Sequence, residues 1–235
     1  MPDSWTRTLQ AYCYQVNLKE YHKRENFPGY FNQEIYGDRR STMAFEDYFR
    51  SHSSMIEPWY EVVLWKMYSQ KYGNGQGDRI IRQIPRYNAE HPENLRSEVD
   101  RFRESLDQTA FESLASMLGY KAAFAMVATF TAFIDPEQFP MVDRHVAAWV
   151  NKHYARFNAA NPNAPELIPF ASGKTWGSPS LTIEDFSSYV RWIFWTRYAV
   201  EVLSRKTGVH WRARDVEMAV FTAGRGRFTL NPLRP

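Results

Sequence analysis

Helical periodicity constrains this chain more than any other property of it. In EPWYEVVLWKMYSQKY (57–72), Trp59, Val62, Val63, Lys66 and Met67 recur at spacings of three and four, the repeat of one helix face. Gly73, Gly75 and Gly77 then interrupt the pattern, and a flexible loop is expected there. A charged, amphipathic helix is expected over 92–106, followed by another at AFESLASM (110–117), which Asp107 or Thr109 can cap. Gly119 separates that helix from the next, at about 120–134, so two short helices meet at a tight turn. Pro136 and Pro140 bracket a loop, and VDRHVAAWVNKHYARF (142–157) begins a further helix at Asp143. Residues 161–180, rich in Pro, Asn, Gly and Ser, read as a long loop that divides the chain. A long helix over 182–206 follows, with Thr182 and Asp185 spaced as a capping box, and ARDVEMAVFTAG (213–224) forms a last helix ending at Gly224. No convincing strand pair, repeat or low-complexity tract interrupts this series. The expected fold is all-α.

Several classes of protein are excluded on the same basis. At 235 residues the chain is long enough for one large domain or two small lobes. No apolar run approaches the roughly 20 residues that cross a bilayer, so no membrane association is expected. The N-terminal MPDSWTRTLQAYCYQ lacks the apolar core of a secretory signal, and a cytoplasmic location is expected. Cys13 is the single cysteine, which excludes an internal disulfide, a four-cysteine zinc site and a cysteine-bound iron–sulfur cluster. A net charge of +3 conceals an asymmetry, since residues 191–235 carry nine Lys/Arg against three Asp/Glu. The segment SRKTGVHWRAR (204–214) fits either a phosphate-facing surface or a solvated helix end. Trp192 and Trp195 are candidates for core packing or for stacking on bases.

Two charges stand out in the largely apolar LGYKAAFAMVATFTAFIDPEQFPMVDRHV (118–146): Lys121 near its start and Asp143 near its end. Desolvation favours the neutral amine of a lysine, which is then a nucleophile, and a helix N-terminus favours an ionised aspartate. Antiparallel elements can bring the two together. The simpler alternative makes Asp143 an N-cap and Lys121 a side chain that snorkels to solvent. His145 is either a phosphate contact or a helix residue bonding locally; its spacing of eight from His153, with no third histidine nearby, does not suit a metal site.

The turn LGYKAA (118–123) followed by FPMVDRHV (139–146) resembles the core of the helix-hairpin-helix DNA glycosylases, the endonuclease III and 8-oxoguanine glycosylase superfamily. Gly119, Lys121 and Ala123 match the second half of the family's L-P-G-V-G-x-K-x-A hairpin, and Val142, Asp143, His145 and Val146 match its V-D-x-H-V motif. Ser69 and Gln70 before a glycine-rich loop are similar to a helix that ends in Ser-Gln in that family. Ser116 and Met117 stand where the family has Pro-Gly, and the cluster cysteines of the endonuclease III branch are missing.

That resemblance implies a two-lobed helical protein with a helix-hairpin-helix lobe over about 57–160 and a second lobe from 1–56 with 181–235. It implies a monomeric base-excision repair enzyme acting on double-stranded DNA, at the nucleoid in a bacterial or archaeal cell. The enzyme flips out a damaged base and excises it through a Schiff base on Lys121 with Asp143 as the assisting carboxylate. An oxidised purine such as 8-oxoguanine is the favoured base; uracil, hypoxanthine and alkylated bases stand as alternatives. Gln70 or its loop is the candidate wedge, while Gly119, His145, Arg225 and Arg227 are candidate DNA contacts. No iron–sulfur cluster or other cofactor is expected, apart from a monovalent cation held by hairpin carbonyls. Two rivals carry different expectations: a DNA-binding protein on the same scaffold without turnover, and an α-helical interaction protein unrelated to DNA.

Overall fold

The computed structural model describes residues 3–14, 37–68, 81–82, 84–119, 124–171, 181–226 and 228–233. Among the described residues there are ten α-helices and no β-strand, the nearest approach to one being an isolated bridge between Cys13 and Asp38. The helices are α1 (Ser4–Gln10), α2 (Arg39–His52), α3 (Ile56–Tyr68), α4 (Arg86–Glu90), α5 (Pro92–Ser105), α6 (Gln108–Met117), α7 (Phe124–Ile134), α8 (Arg144–Ala160), α9 (Phe186–Thr207) and α10 (Ala213–Gly224). No described helix is long and apolar enough to cross a membrane.

Contacts group the chain into two units, 13–134 and 1–12 with 135–235. The expected lobes were bounded at 56/57 and 160, with 161–180 as the divider, and the observed boundaries fall elsewhere. Two interactions account for the difference. Residues 39–52 form α2, which buries Phe45 and Phe49 against α3 and α7 rather than joining the C-terminal helices. Residues 161–171 are tied to α8: Asn151 donates to Phe170 O and accepts from its N–H (3.0 and 2.7 Å), and Asn158 pairs the same way with Leu167 (2.8 and 3.0 Å). An asparagine amide reproduces both halves of a peptide group, so the loop is held as part of its unit.

In the 13–134 unit the apolar faces of α2 and α3 meet α7, whose residues are buried all round except Ala125. Phe49 and Trp59 meet edge-on at 5.1 Å, Trp59 lies 4.7 Å from Phe130, and Phe45 and Trp65 lie 5.4 and 5.2 Å from Phe133. Thr129 and Thr131 satisfy their hydroxyls on carbonyls one turn back, at Ala125 and Val127, so a polar residue fits an apolar helix. Beside this core, Leu95, Val99 and Phe102 form the inner stripe of α5, and Phe102 meets Phe111 of α6 at 5.2 Å. Of the two candidate caps, Asp107 is used: its carboxylate accepts from Ala110 N at 2.8 Å.

Two ionisable residues of α3 are buried: Lys66 on the apolar face read over 57–72, and Glu61, next to Val62 in the chain. Lys66 is buried with its ammonium 5.5 Å from the centre of the Tyr14 ring. Glu61 is 9% exposed. Burial pushes its carboxyl up to about 7, against the opposing hydrogen bond from Tyr48 and with help from the charge of Glu57. The neutral acid is the form the fold tolerates. Its stability contribution is therefore complete below about pH 4.5, declines as pH rises, and is gone above about 7. Glu61→Gln fixes the neutral form, so denaturant titrations should show this variant about 2–3 kcal/mol more stable than the parent near pH 8 and equal to it near pH 4. A variant that is less stable near pH 8 would refute this account.

In the other unit α10 packs against α1, α8 and α9. Around it Trp5, Trp149, Phe157 and Trp195 form an aromatic cluster, with Trp149 and Phe157 at 4.9 Å and Phe157 and Trp195 at 5.8 Å. Trp192 stacks on Trp195 at 5.6 Å and donates its indole N–H to Met141 O. Both tryptophans are fully buried, so core packing, not base stacking, is their role. The chain's two ends meet here, Trp5 donating to Asn231 O at 2.9 Å. Asp185 makes its half of the expected capping box by accepting from Thr182 N, while the Thr182 hydroxyl stays unpaired; a 3-10 turn (Ile183–Asp185) leads into α9.

The basic segment 204–214 divides between surface and core. Arg205 and Lys206 are exposed, but Trp211, Arg212 and Arg214 are buried. Arg212 pairs with Asp215 at 3.0 Å and Arg214 with Glu217, each three positions on along the chain. The i,i+3 interleaving in RARDVE carried that signal, and counting charge by segment hid it.

Candidate functional site

Asp143 sits at the start of α8, and the loop before it is held by its carbonyl oxygens. Glu137 O and Pro136 O accept from Ala213 N and Arg214 N, both at 3.1 Å. Gln138 O accepts from Arg197 Nε, Pro140 O from the Tyr189 hydroxyl and Met141 O from Trp192 Nε1, at 3.1, 3.1 and 3.0 Å. Burial pushes the Tyr189 hydroxyl above its ordinary pKa, so it serves as a neutral donor. Five carbonyls fixed by α9 and the first turn of α10 leave the chain little freedom where it meets α8.

Asp143 itself is extended, with φ −141° and ψ −176°, and is the N-cap of the 17-residue α8. Its Oδ1 accepts from His145 N at 2.8 Å and Val146 N at 3.0 Å. Its second oxygen, Oδ2, has no donor among the described residues. The cap therefore occupies half of the carboxylate.

His145 is half-buried and meets the Phe221 ring edge-on at 5.5 Å. Arg225, exposed, lies over the same ring at 5.8 Å. The end of α10 approaches closely because residue 224 is glycine: a Cβ there would fall 2.7 Å from His145 O. His145 and Arg225 thus meet at Phe221, close to the end of α8 that Asp143 caps.

Gly119 belongs to the other unit. It takes φ +67° after α6, where Leu118 N–H bonds back to Leu114 O and Gly119 N–H to Ser116 O, an end that a left-handed glycine permits. The expected break between two helices is present, with α6 stopping at Met117 and α7 described from Phe124. Lys121, Gln70 and Arg227 lie outside the described residues, as do hairpin positions 120–123, on which the carbonyl-bound cation was expected. Among the described residues no group of three or more His, Cys, Asp and Glu is placed to hold a metal ion.

No protein-family model, curated protein or solved structure matches this chain.

Proposed function

We propose that this chain is a DNA glycosylase with an associated lyase step, on the plan of the helix-hairpin-helix glycosylases. The observation that carries this reading is the half-used carboxylate of Asp143: Oδ1 is committed to the cap, and Oδ2 is left for chemistry. The left-handed Gly119 two residues before Lys121 also supports that plan.

In this mechanism duplex DNA is bent, the damaged nucleotide is flipped into a pocket and Gln70 fills the gap it leaves. Asp143 balances positive charge developing on the deoxyribose and helps remove a proton from the Lys121 amine. The amine attacks C1′ as the bond from C1′ to the base breaks, and the base leaves with a proton. The C1′–O4′ bond then opens, its oxygen taking up a proton, to leave a Schiff base that permits β-elimination and a strand nick. His145, Arg225 and Arg227 hold phosphates near this centre. An oxidised purine is the favoured base, and the glycosylase arrangement of the lobes belongs to the same proposal.

One observation favours a second reading. Ser116 and Met117, where the family has its Pro-Gly turn, are the last residues of α6. A hairpin altered in this way suits a protein that binds DNA without turnover.

Borohydride trapping separates the two. The parent protein is incubated with labelled duplexes carrying 8-oxoguanine, uracil, hypoxanthine, thymine glycol or an abasic site, beside Lys121→Gln and Asp143→Asn. A trapped adduct on one lesion is expected, absent with Lys121→Gln. Asn is itself a good N-cap, so Asp143→Asn keeps α8 intact while slowing base release by roughly 10²–10⁴-fold. DNA binding with neither adduct nor released base supports the non-catalytic reading, and no DNA binding discards both.

A further inference from the structure

Helix α8 carries no aspartate or glutamate in its 17 residues, but has Arg144, Lys152 and Arg156 with two histidines. His145, Lys152 and Arg156 are seven and eleven positions apart, about two and about three helical turns, so they lie on one side. That side is otherwise small: Ala148, Ala155 and Ala159 are exposed along it. Lys152 and Arg156 are exposed, and no carboxylate pairs with either among the described residues. Helix α5 shows the contrast, with Arg96 and Arg103 on Asp100 and Arg101 on Glu98 at 2.9, 2.6 and 2.9 Å.

The stripe runs into an open depression of about 810 Å³, lined by Arg156, Ala159, Ala160, Lys206, Asn231 and Pro232. Lys206, exposed in the last turn of α9, brings a second unpaired cation there from a different helix. His153, next to Lys152 on α8, feels the same cations: burial first, and then the charges of Lys152 and Arg156, hold its pKa below the ordinary value.

We infer that this face of α8, with Lys206, is a second phosphate track that holds the backbone of duplex DNA beyond the tract reaching Asp143. The inference rests on the reading of the chain as a protein that acts on DNA. From His145 to Arg156 the track spans about 16 Å, equal to about five base pairs of duplex at 3.4 Å each. Two features favour a polyanionic rod over a small anion. The cations are spread along a line, and the alanines between them let a broad partner approach.

The test uses the full chain, an undamaged duplex of about 20 base pairs, and affinity measured as a function of salt. The variant is Lys152→Gln/Arg156→Gln/Lys206→Gln. A control, Arg50→Gln/Arg86→Gln/Arg101→Gln, removes the same charge from the 13–134 unit. In the first variant the slope of log affinity on log salt should fall by about 2–3, with affinity down roughly 10–10²-fold at moderate salt, while the control changes little. Equal losses in both variants would reduce the effect to net charge and overturn the track. So would loss of inorganic phosphate binding with duplex affinity unchanged, or a parent protein that retains no DNA. A slope that falls in the first variant alone, with no trapped adduct on any lesion, keeps the track and discards the glycosylase.

Discussion

Glu217→Ala should lower the unfolding free energy by about 3–5 kcal/mol, as expected when one partner of a buried ion pair is removed. Arg214 and Glu217 are 0% and 1% exposed in the middle of a unit whose helices all touch α10. Truncating the acid takes the Glu217 carboxylate from a buried guanidinium that cannot lose its charge. The cost is thus mostly the desolvation of Arg214, not the worth of the pair. Replacing both partners together, Arg214→Met with Glu217→Leu, removes the buried charges and should recover most of the loss. Asp47→Ala supplies the surface comparison. Its partner Arg50 is 45% exposed and Asp47 65%, so the change should cost under about 1 kcal/mol. Urea titrations of the four proteins decide the matter, and equal costs for Glu217→Ala and Asp47→Ala would refute it.

Trp59→Ala should cost a similar amount, about 3–5 kcal/mol, in the other unit. Its indole is fully buried between Phe49 and Phe130 and donates to Ser53 O at 2.9 Å. The rings around it come from α2 and α7 while it stands on α3, so the cavity left by alanine cannot close without shifting these three helices together. Trp59→Phe keeps most of the volume and loses the hydrogen bond; a cost nearer 1–2 kcal/mol is expected by the magnitudes for such bonds and for near-isosteric swaps. Thermal and urea unfolding should rank parent, Trp59→Phe and Trp59→Ala in that order. A tolerant Trp59→Ala would mean that the cluster is not the unit's core.

Helix positions were legible because their causes are local. Asp107 and Asp143 cap because a short carboxylate one residue before a helix reaches free amides, and Gly119 stops α6 because a glycine takes φ +67° without penalty. Asp143 as a cap at the head of a long helix was therefore readable, as was the all-α class. The setting of that cap was not, since the 135–143 loop that leads into it is anchored to α9 and α10. The five carbonyl anchors behind it bond to residues up to 78 positions away, and no periodicity announces them.

Segment chemistry was misleading wherever a partner came from elsewhere in the chain. Charge counted along 204–214 suggested a basic surface, yet Arg212 and Arg214 turn inward because Asp215 and Glu217 sit one helical turn ahead. The Pro- and Asn-rich stretch after α8 looked like a divider, yet Asn151 and Asn158 bind it back onto their own helix. Sequence alone determined the helices, their caps and breaks, and the placing of Asp143 at a helix start, since all of these follow from interactions within a few residues. Tertiary structure decided how the helices divide into units, which charges are buried, and that Trp5 closes against Asn231 across 226 positions. Such choices depend on which apolar faces exclude water together, and a linear pattern does not encode that pairing.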